Sequence, residues 1–501
     1  MRRKQMKRKQ MKRRLCVLLT LSLLCSCLAA GCGSTESSDE IVLRVANWEE
    51  YIDEGDWDEE ERIDLENGAS ILGEHSMVDD FEEWYYETYG KRVRVEYSTF
   101  GTNEDLYNQM TLGDTFDLVC PSEYMIMKLM REGEVLPFSE DFYREDLEEN
   151  YYARGVSPYI RERLENLEID GESLADYAAG YMWGVIGYVY NPEYISRQEA
   201  EDWNLLRNSD YYKRVTTKDS IRDSYFAAAG MLYQDEMLSE EFMAREDYAE
   251  ALDRMMNDTS PETVDKIEKL LTQVKDNAYS FETDSGKADL VTGKVVANLQ
   301  WSGDGVYSMQ QAEEDGVQLE FAVPASCTNL WFDGWCMLKD GIGEDQEKQQ
   351  AAEAFVNFLS RPDNAVRNMY YIGYTSVISG GEDDTIFDYA DWCYGAELSE
   401  DELPEEDDAA AAGDVTDEEM TTAAMEDAGL VEYPLGYFFG ADAEDPAYTI
   451  LAEESMAAGQ LYAQYPTEDV LDRSVVMACF DDEANERINR MWINVRCFGL
   501  W

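Results

Sequence analysis

Four short segments of the sequence place aromatic residues directly beside carboxylates. Aromatic faces attract ammonium groups through cation–π contacts, and carboxylates accept charge-assisted hydrogen bonds from the same groups. A further acidic segment and a Gly–Tyr pair belong with them. Together they indicate a site for an organic cation. The six segments are Trp48-Glu49-Glu50-Tyr51, Ser122-Glu123-Tyr124, Trp301-Ser302-Gly303-Asp304, Trp331-Phe332-Asp333, Asp219-Ser220-Ile221-Arg222-Asp223 and Gly373-Tyr374.

Each segment taken alone has an ordinary structural explanation. A tryptophan is usually part of a core, and an aspartate that follows it is usually a cap or a loop residue. Aromatic residues make up 12% of the chain and it contains 107 acids, so chance adjacency is common. The segments gain weight only from their arrangement along the chain.

The elements that would position these segments are predicted from hydrophobic periodicity. Residues 41–46 and 91–97 have strand patterns, 80–89 and 106–110 have helical ones, and 116–120 form a short buried strand. The resulting β-α-β-α-β order predicts a layered α/β domain. Ligands of open α/β sheets bind beyond the carboxyl ends of the strands. The strands at 41–46 and 116–120 lead into the first two aromatic–acid segments, which makes that sheet edge the expected site.

The composition excludes several classes of function. A formal charge of −66 argues against nucleic acid, whose binding needs a basic surface. The single histidine, His75, leaves little for a Ser-His-Asp hydrolase, and the six cysteines after Cys32 form no CxxC pair that would indicate zinc. We therefore expect no enzyme activity, no cofactor and no metal site. Paired carboxylates could still serve a glycosidase, so a surface hydrolase stays an alternative function.

The first 31 residues are typical of an export signal. Residues 1–14 carry nine Lys/Arg and no acid, a short apolar run follows, and small residues precede Cys32. This arrangement resembles a bacterial lipobox, in which Cys32 would be lipidated. An uncleaved membrane helix is the alternative, although sixteen apolar residues are short for a span. Removing nine bases and no acids from a charge of −66 leaves −75 on the mature chain, and the true start codon stays open between Met1, Met6 and Met11.

Two acidic stretches interrupt the predicted elements. Residues 52–79 are acidic and irregular, which indicates a loop or an insertion. Residues 400–427 hold thirteen Asp/Glu and no Lys or Arg, which indicates a solvated insertion. A calcium site is the alternative for the second stretch, but the regular spacing of an EF-hand is missing.

The order of the segments resembles that of the spermidine/putrescine-binding proteins of ABC transporters. The motifs NWEEY, VEYSTFGTNEDLYNQM, FDLVCPSEYMIMKLMREG, WGVIGYVYN, KDSIRD, LQWSGD, LWFDGW and FVNFLSRPDNA with IGYTS follow the family's order from about residue 42 to 377. The resemblance implies a type II periplasmic-binding-protein fold, in which two α/β lobes joined by a hinge enclose a central ligand cleft. By analogy, the crossings between lobes lie near 183–184 and 332–334. The implied organisation is 1–31 signal peptide, 32–40 tether, 41–183 plus 334–378 lobe 1, and 184–333 plus 379–501 lobe 2, with an acidic insertion at about 398–430.

The resemblance also assigns the ligand-binding residues. The family has an acidic contact whose position matches either Asp219 or Ser220, depending on a one-residue choice. The family also has a glutamine contact near the C-terminus, and its position here falls close to Met477, so this contact is lost or displaced. Both departures bear on which polyamine is preferred. The implied aromatic cage is Trp48, Tyr51, Tyr124, Trp301, Trp331 and Tyr374, the acids are Glu50, Asp223 and Asp333, and Ser122 is a polar contact.

The resemblance therefore implies a monomeric, lipid-anchored receptor that captures spermidine or putrescine. It would deliver the solute to ABC permease subunits from the outer face of the membrane or the periplasm. The alternative is a receptor of the same fold for another cationic or an iron-containing solute, since one fold serves many ligands.

Overall fold

The computed structural model describes residues 40–282, 285–396, 425, 428–443 and 445–497. Its largest feature is a twelve-stranded mixed sheet. The strands are β1 Glu40–Trp48, β2 Arg92–Phe100, β3 Leu118–Val119, β4 Val135–Leu136, β5 Ala178–Tyr190, β6 Val215–Lys218, β7 Ser280–Glu282, β8 Ala297–Trp301, β9 Glu320–Ala322, β10 Thr328–Leu338, β11 Thr375–Ser376 and β12 Ser474–Val475.

Two long strands, β5 and β10, lie at the centre of this sheet. The main path runs β7-β6-β8-β5-β10-β3-β1-β2, and β5 pairs with β10 in antiparallel register. On one side β3, β1 and β2 are parallel, and on the other β8, β6 and β7 are parallel. Every residue of β5 and β10 is buried, as expected for strands covered on both faces. The parallel strands of each side thus end at edges that meet near the central pair.

Twelve helices of eight or more residues surround the sheet in the described part of the chain. They are α1 Met77–Tyr89, α2 Asn103–Leu112, α3 Glu123–Glu132, α4 Pro158–Glu165, α5 Ile221–Met237, α6 Tyr248–Met256, α7 Pro261–Asn277, α8 Ser302–Glu314, α9 Gln346–Leu359, α10 Pro362–Ile372, α11 Thr385–Tyr394 and α12 Asp482–Cys497. Shorter α- and 3-10 helices join these elements. Three two-stranded antiparallel pairs lie apart from the large sheet, namely Ile63–Asp64 with Ser70–Ile71, Glu168–Ile169 with Glu172–Ser173, and Leu430–Pro434 with Thr449–Glu453.

The apolar side chains form two separate cores. The larger core contains Leu43 of β1 and Phe355 of α9. The smaller one contains Phe226 of α5, Ile267 of α7 and Met491 of α12. Strand β5 contributes to both cores, which is the arrangement expected when long strands pass between two packed units. The first unit is the one around the larger core, and the second unit is the one around the smaller core.

The acidic segment 52–79 has little regular structure before α1, as the sequence predicts, but it packs against the first unit. Its Asp53 is fully buried and accepts two hydrogen bonds from the guanidinium of Arg367, at 2.9 and 2.7 Å. The indole of Trp57 donates to the same carboxylate at 3.0 Å. A second arm of Arg367 reaches Asp80 at 2.7 Å. Because a buried carboxylate is costly unless it is paired, this ion pair ties the segment to α10.

Residues after position 379 do not all pack on the second unit. Asn67 donates to the side chains of Thr385 and Asp388 in α11, at 3.0 and 3.1 Å. The helix also packs against α10. These contacts favour placing 385–394 with lobe 1, whereas the sequence places it in lobe 2, and the lobe boundaries as a whole stay a proposal. The predicted signal, Cys32, nearly all of the tether and most of the acidic insertion lie outside the described residues.

No helix within the described ranges is both long and apolar enough to cross a membrane.

Candidate functional site

The carboxylate of Asp333 lies at the centre of the candidate site. It accepts hydrogen bonds from Tyr51 Oη and Ser122 Oγ, each at 2.8 Å. The register of β10 against β5 shifts between Asp333 and Gly334, and such a bulge redirects the side chain. Three segments that are far apart in sequence therefore meet at one acid. Both hydrogen-bonding partners follow parallel strands, Tyr51 after β1 and Ser122 after β3, as the sheet-edge rule predicts.

Asp333 is buried without a cation. Only 7% of the residue is exposed, and burial raises the pKa of its carboxyl from 3.8 to about 6, although Ser122 and Tyr51 oppose the rise. In the described part of the chain no cationic side chain forms an ion pair with it. A buried carboxylate is normally paired. The site thus presents a negative charge that a positively charged solute can neutralise.

Aromatic rings form a wall beside this carboxylate. The ring of Tyr374 lies 5.5 Å from that of Tyr51 and 5.6 Å from that of Trp331, both edge to face. Two glycines make room for the wall. A Cβ on Gly184 would lie 2.6 Å from the Trp331 indole, and one on Gly303 would lie 2.3 Å from the Tyr374 ring.

A second buried acid lies next to Asp333. Glu123 begins α3 and accepts the backbone N–H of Phe332 at 3.0 Å. Burial, with a smaller contribution from Asp333, raises the pKa of Glu123 to about 8. At neutral pH its carboxyl is therefore largely protonated, and it holds β10 in place rather than adding charge.

Tyr124 lies in a hydrogen-bonded network with Ser122. Asn103 donates to Ser122 Oγ at 3.1 Å and to Tyr124 Oη at 2.8 Å. The face of Tyr124 is covered by the guanidinium of Arg222, 4.5 Å from the ring centroid. Arg222 also lies 3.9 Å from the ring of Phe480. Tyr124 is thus already engaged with a cation of the chain itself.

Trp301 forms the far end of the group. Its indole Nε1 donates to Asp223 Oδ1 at 3.3 Å. Burial raises the pKa of Asp223, while Ser220 and Lys218 oppose the rise. The ammonium of Lys218 lies 4.0 Å from the centre of the Trp301 ring. This ammonium is bound to Asp304 Oδ2 at 3.0 Å.

Asp304 is shared by two lysines. Lys287 reaches its other oxygen at 2.7 Å. Burial alone would raise the pKa of Asp304, but the two ammoniums hold it at about 2. Within the described ranges no group of three or more His, Cys, Asp or Glu side chains could hold a metal ion. Lys218 and Lys287 thus share the Asp304 carboxylate beside Trp301.

Several residues assigned by sequence are not drawn into these contacts. Trp48 packs against Phe100 at 4.9 Å. Glu50 is exposed with a positive φ of 54°. Asp219 forms an ion pair with Arg496 at 2.7 Å. Ser220 caps α5 by accepting the Asp223 N–H at 3.4 Å, and Met477 lies in the smaller core.

The structure adds residues that the resemblance did not assign to ligand binding, namely Asn103, Glu123, Tyr181, Lys218, Arg222, Lys287 and Asp304. Of these, Asn103, Glu123, Lys218, Arg222 and Asp304 belong to the segments and motifs quoted above. Their position beside the aromatic residues was the only signal for them. Tyr181 carried no such signal: its hydroxyl donates to the backbone oxygen of Tyr51 at 2.9 Å, and the two rings pack at 5.6 Å.

Comparison with known proteins supports the resemblance. A family model described as "Bacterial extracellular solute-binding protein" matches residues 76–390, more than half of the chain. The spermidine/putrescine-binding periplasmic protein of Salmonella typhimurium is 23% identical over 353 residues, covering 69% of this chain and 80% of the relative. The putrescine-binding periplasmic protein SpuD of Pseudomonas aeruginosa is 23% identical over 339 residues, covering 66% and 77%.

Solved structures confirm the two-lobed fold. A putative spermidine/putrescine ABC transporter protein from Listeria monocytogenes superposes with a TM-score of 0.55 at 18% identity, covering 91% of this chain and 99% of that one. The spermidine/putrescine substrate-binding protein PotD of Streptococcus pneumoniae gives 0.54 at 19% identity, with 92% and 100% covered. The predicted type II periplasmic-binding fold is thus confirmed, and the relatives are solute-binding transport proteins rather than enzymes.

Proposed function

We propose, from the premise that this chain belongs to the bacterial extracellular solute-binding protein family, that it captures polyamines for an ABC permease. The observation that carries the proposal is the buried Asp333 carboxylate, which has hydrogen-bond donors and an aromatic wall but no ion-pair partner among the described residues. The names of the relatives, which bind spermidine or putrescine, support the same ligand class.

The physical chemistry of the site fits an aliphatic amine. Asp333 would accept hydrogen bonds from one ammonium group, while Tyr51, Trp331 and Tyr374 would cover the adjoining methylenes. Charge-assisted hydrogen bonds contribute about 1.5–3 kcal/mol each, and a desolvated cation–π contact about 2 kcal/mol. Several such contacts can reach the ~8 kcal/mol that micromolar affinity requires. We infer that closure of the two lobes buries the amine between them.

Thermal unfolding of the full chain in the presence of amines tests this function. Putrescine or spermidine at roughly 100 times its dissociation constant should add about 2.7 kcal/mol to the free energy of unfolding. An equal concentration of 1-butanol, which has the methylenes but no ammonium, is the control and should leave the melting temperature unchanged. The proposal fails if neither amine raises the melting temperature more than the alcohol does.

Export and anchoring form a separate part of the proposal. They rest on the basic and apolar residues before Cys32, which lies outside the described residues. Cys32→Ala should release the protein from the membrane fraction of the producing cells. Cys120→Ala is the matched control, because Cys120 is buried in the fold, and it should leave fractionation unchanged. Equal fractionation of both variants would contradict lipidation at Cys32.

A second solute class remains the alternative within this fold. A receptor for another cationic or iron-containing solute would share the two lobes but would not be stabilised by polyamines. The absence of a three-acid or His/Cys cluster among the described residues favours the amine over a bare metal ion.

A further inference from the structure

Lys218 places an ammonium group of the chain on the aromatic face at the far end of the site. Its Nζ lies 4.0 Å from the centroid of Trp301 and 3.0 Å from Asp304 Oδ2, and the side chain is only 1% exposed. A buried lysine loses both hydration and side-chain freedom. Such a residue is stable here because the ring and the carboxylate replace water.

Strand pairing explains why this lysine meets this tryptophan. Lys218 is the last residue of β6 and Trp301 is the last residue of β8, and the two strands run parallel with Val215 opposite Ala297. Their carboxyl ends therefore lie at one edge of the sheet, where ligands of α/β folds bind. Lys218 thus occupies a position at which a solute's ammonium would contact Trp301.

Ammonium groups of the chain itself already lie around Trp301. Lys218 and Lys287 both bind Asp304, and the Trp301 indole donates to Asp223. Asp333, at the other end of the site, forms no ion pair with a side chain in the described part of the chain. A solute ammonium placed at Trp301 would therefore face the Lys218 ammonium, whereas one placed at Asp333 would meet this acid.

We propose that Lys218 is a specificity-determining residue that limits this site to solutes with at most two ammonium groups. The inference rests on the proposed function and narrows it from polyamines in general to short diamines. A diamine can bind one ammonium at Asp333 and keep the second away from Trp301. The third ammonium of a triamine would compete with the Lys218 ammonium for the face of Trp301.

Calorimetric titration of the full chain with putrescine and with spermidine tests this proposal. The wild type should bind putrescine more tightly than spermidine. Lys218→Met keeps the length and apolar stem of the side chain while Asp304 retains Lys287 as its partner. In this variant the spermidine-to-putrescine affinity ratio should rise on the order of tenfold, the equivalent of one cation–π contact regained by the solute.

Two further variants guard against misinterpretation. Lys287→Met removes the same charge from the same carboxylate, but its ammonium lies 5.6 Å from Tyr307 instead of on Trp301, so the ratio should stay near that of the wild type. If Lys218→Met does not fold, the double variant Lys218→Met/Asp304→Asn removes both charges and is titrated in its place. An unchanged ratio in the folded Lys218 variant, or an equal rise in Lys287→Met, overturns the proposal. If the wild type binds neither putrescine nor spermidine, the proposed function is refuted instead.

Discussion

Replacing Asp333 by asparagine should abolish tight amine binding and at the same time stabilise the unliganded protein. Asparagine has nearly the same shape as aspartate and can still accept the hydrogen bond from Ser122 or Tyr51. It lacks the charge that an ammonium would neutralise. Removing one partner of a buried charge pair across an interface costs about 2–5 kcal/mol. The affinity for putrescine should therefore fall ~30-fold or more.

The stability gain follows from the pKa of the same carboxyl. Burial raises the pKa of Asp333 from 3.8 to about 6, so the folded state binds a proton more tightly than the unfolded state. The folded protein is therefore penalised as pH rises between these two values, and above about 6 the penalty is complete, roughly 3 kcal/mol. Asp333→Asn removes the charge and with it this penalty at neutral pH. Denaturant unfolding at pH 7.5 without ligand should show the gain.

Asp117→Asn is the matched control for this variant. Asp117 is also a buried aspartate, but it forms ion pairs with Arg44 at 3.0 Å and Lys348 at 3.1 Å, away from the candidate site. Breaking a buried ion pair costs about 3–5 kcal/mol. This variant should lose stability and keep its amine affinity, which is the opposite signature. The reasoning is refuted if Asp333→Asn binds putrescine as the wild type does, or if it loses as much stability as Asp117→Asn.

Three other outcomes follow from the same geometry. Because the solute requires ionised Asp333, wild-type affinity for putrescine should fall about tenfold between pH 7 and pH 5, measured by titration, and should stay flat in Asp333→Asn. Gly303→Ala should weaken binding, since its Cβ would lie 2.3 Å from the Tyr374 ring, whereas Gly305→Ala in the same helix meets its nearest neighbour at 3.2 Å and should bind more nearly as the wild type does; equal affinities would disprove the aromatic wall. Trp331→Phe should cost less affinity than Trp331→Ala, because phenylalanine keeps an aromatic face, and calorimetry should rank the two variants in that order.

The regular elements of the first unit could be predicted from local patterns. Alternating residues predicted a strand at 91–97, which the structure has as Arg92–Phe100, and helical periodicity predicted a helix at 80–89, which the structure begins earlier, as Met77–Tyr89. In the structure Gly90 adopts a left-handed conformation with φ 68°, which explains its place at the helix end. Periodicity and helix-end residues depend only on neighbours in the chain, so they can be identified from a single sequence.

Contacts between distant segments left no comparable local signal. The Asp53–Arg367 pair joins residues 314 positions apart, so the sequence did not show that the loop after residue 52 is tied to α10. Asp333 and Ser122 are 211 positions apart, and only the resemblance to a family brought them into one site. Lys218 was not foreseen because its role depends on the pairing of β6 beside β8, which local periodicity does not encode.

Asp219 and Ser220 both match the position of one acidic contact of the family. In the structure Asp219 forms an ion pair with Arg496 and Ser220 caps a helix. Both residues thus have partners within the chain.

The most direct measurement is calorimetric titration of the full chain with putrescine at low and at high salt. We predict saturable one-to-one binding with micromolar or tighter affinity that survives at about 0.5 M salt, because buried ion pairs are screened far less than surface charges. If binding is weak and vanishes with salt, the −66 background alone attracts the amine and Asp333 is not its partner. Such a result would contradict the assignment of this chain as a polyamine receptor.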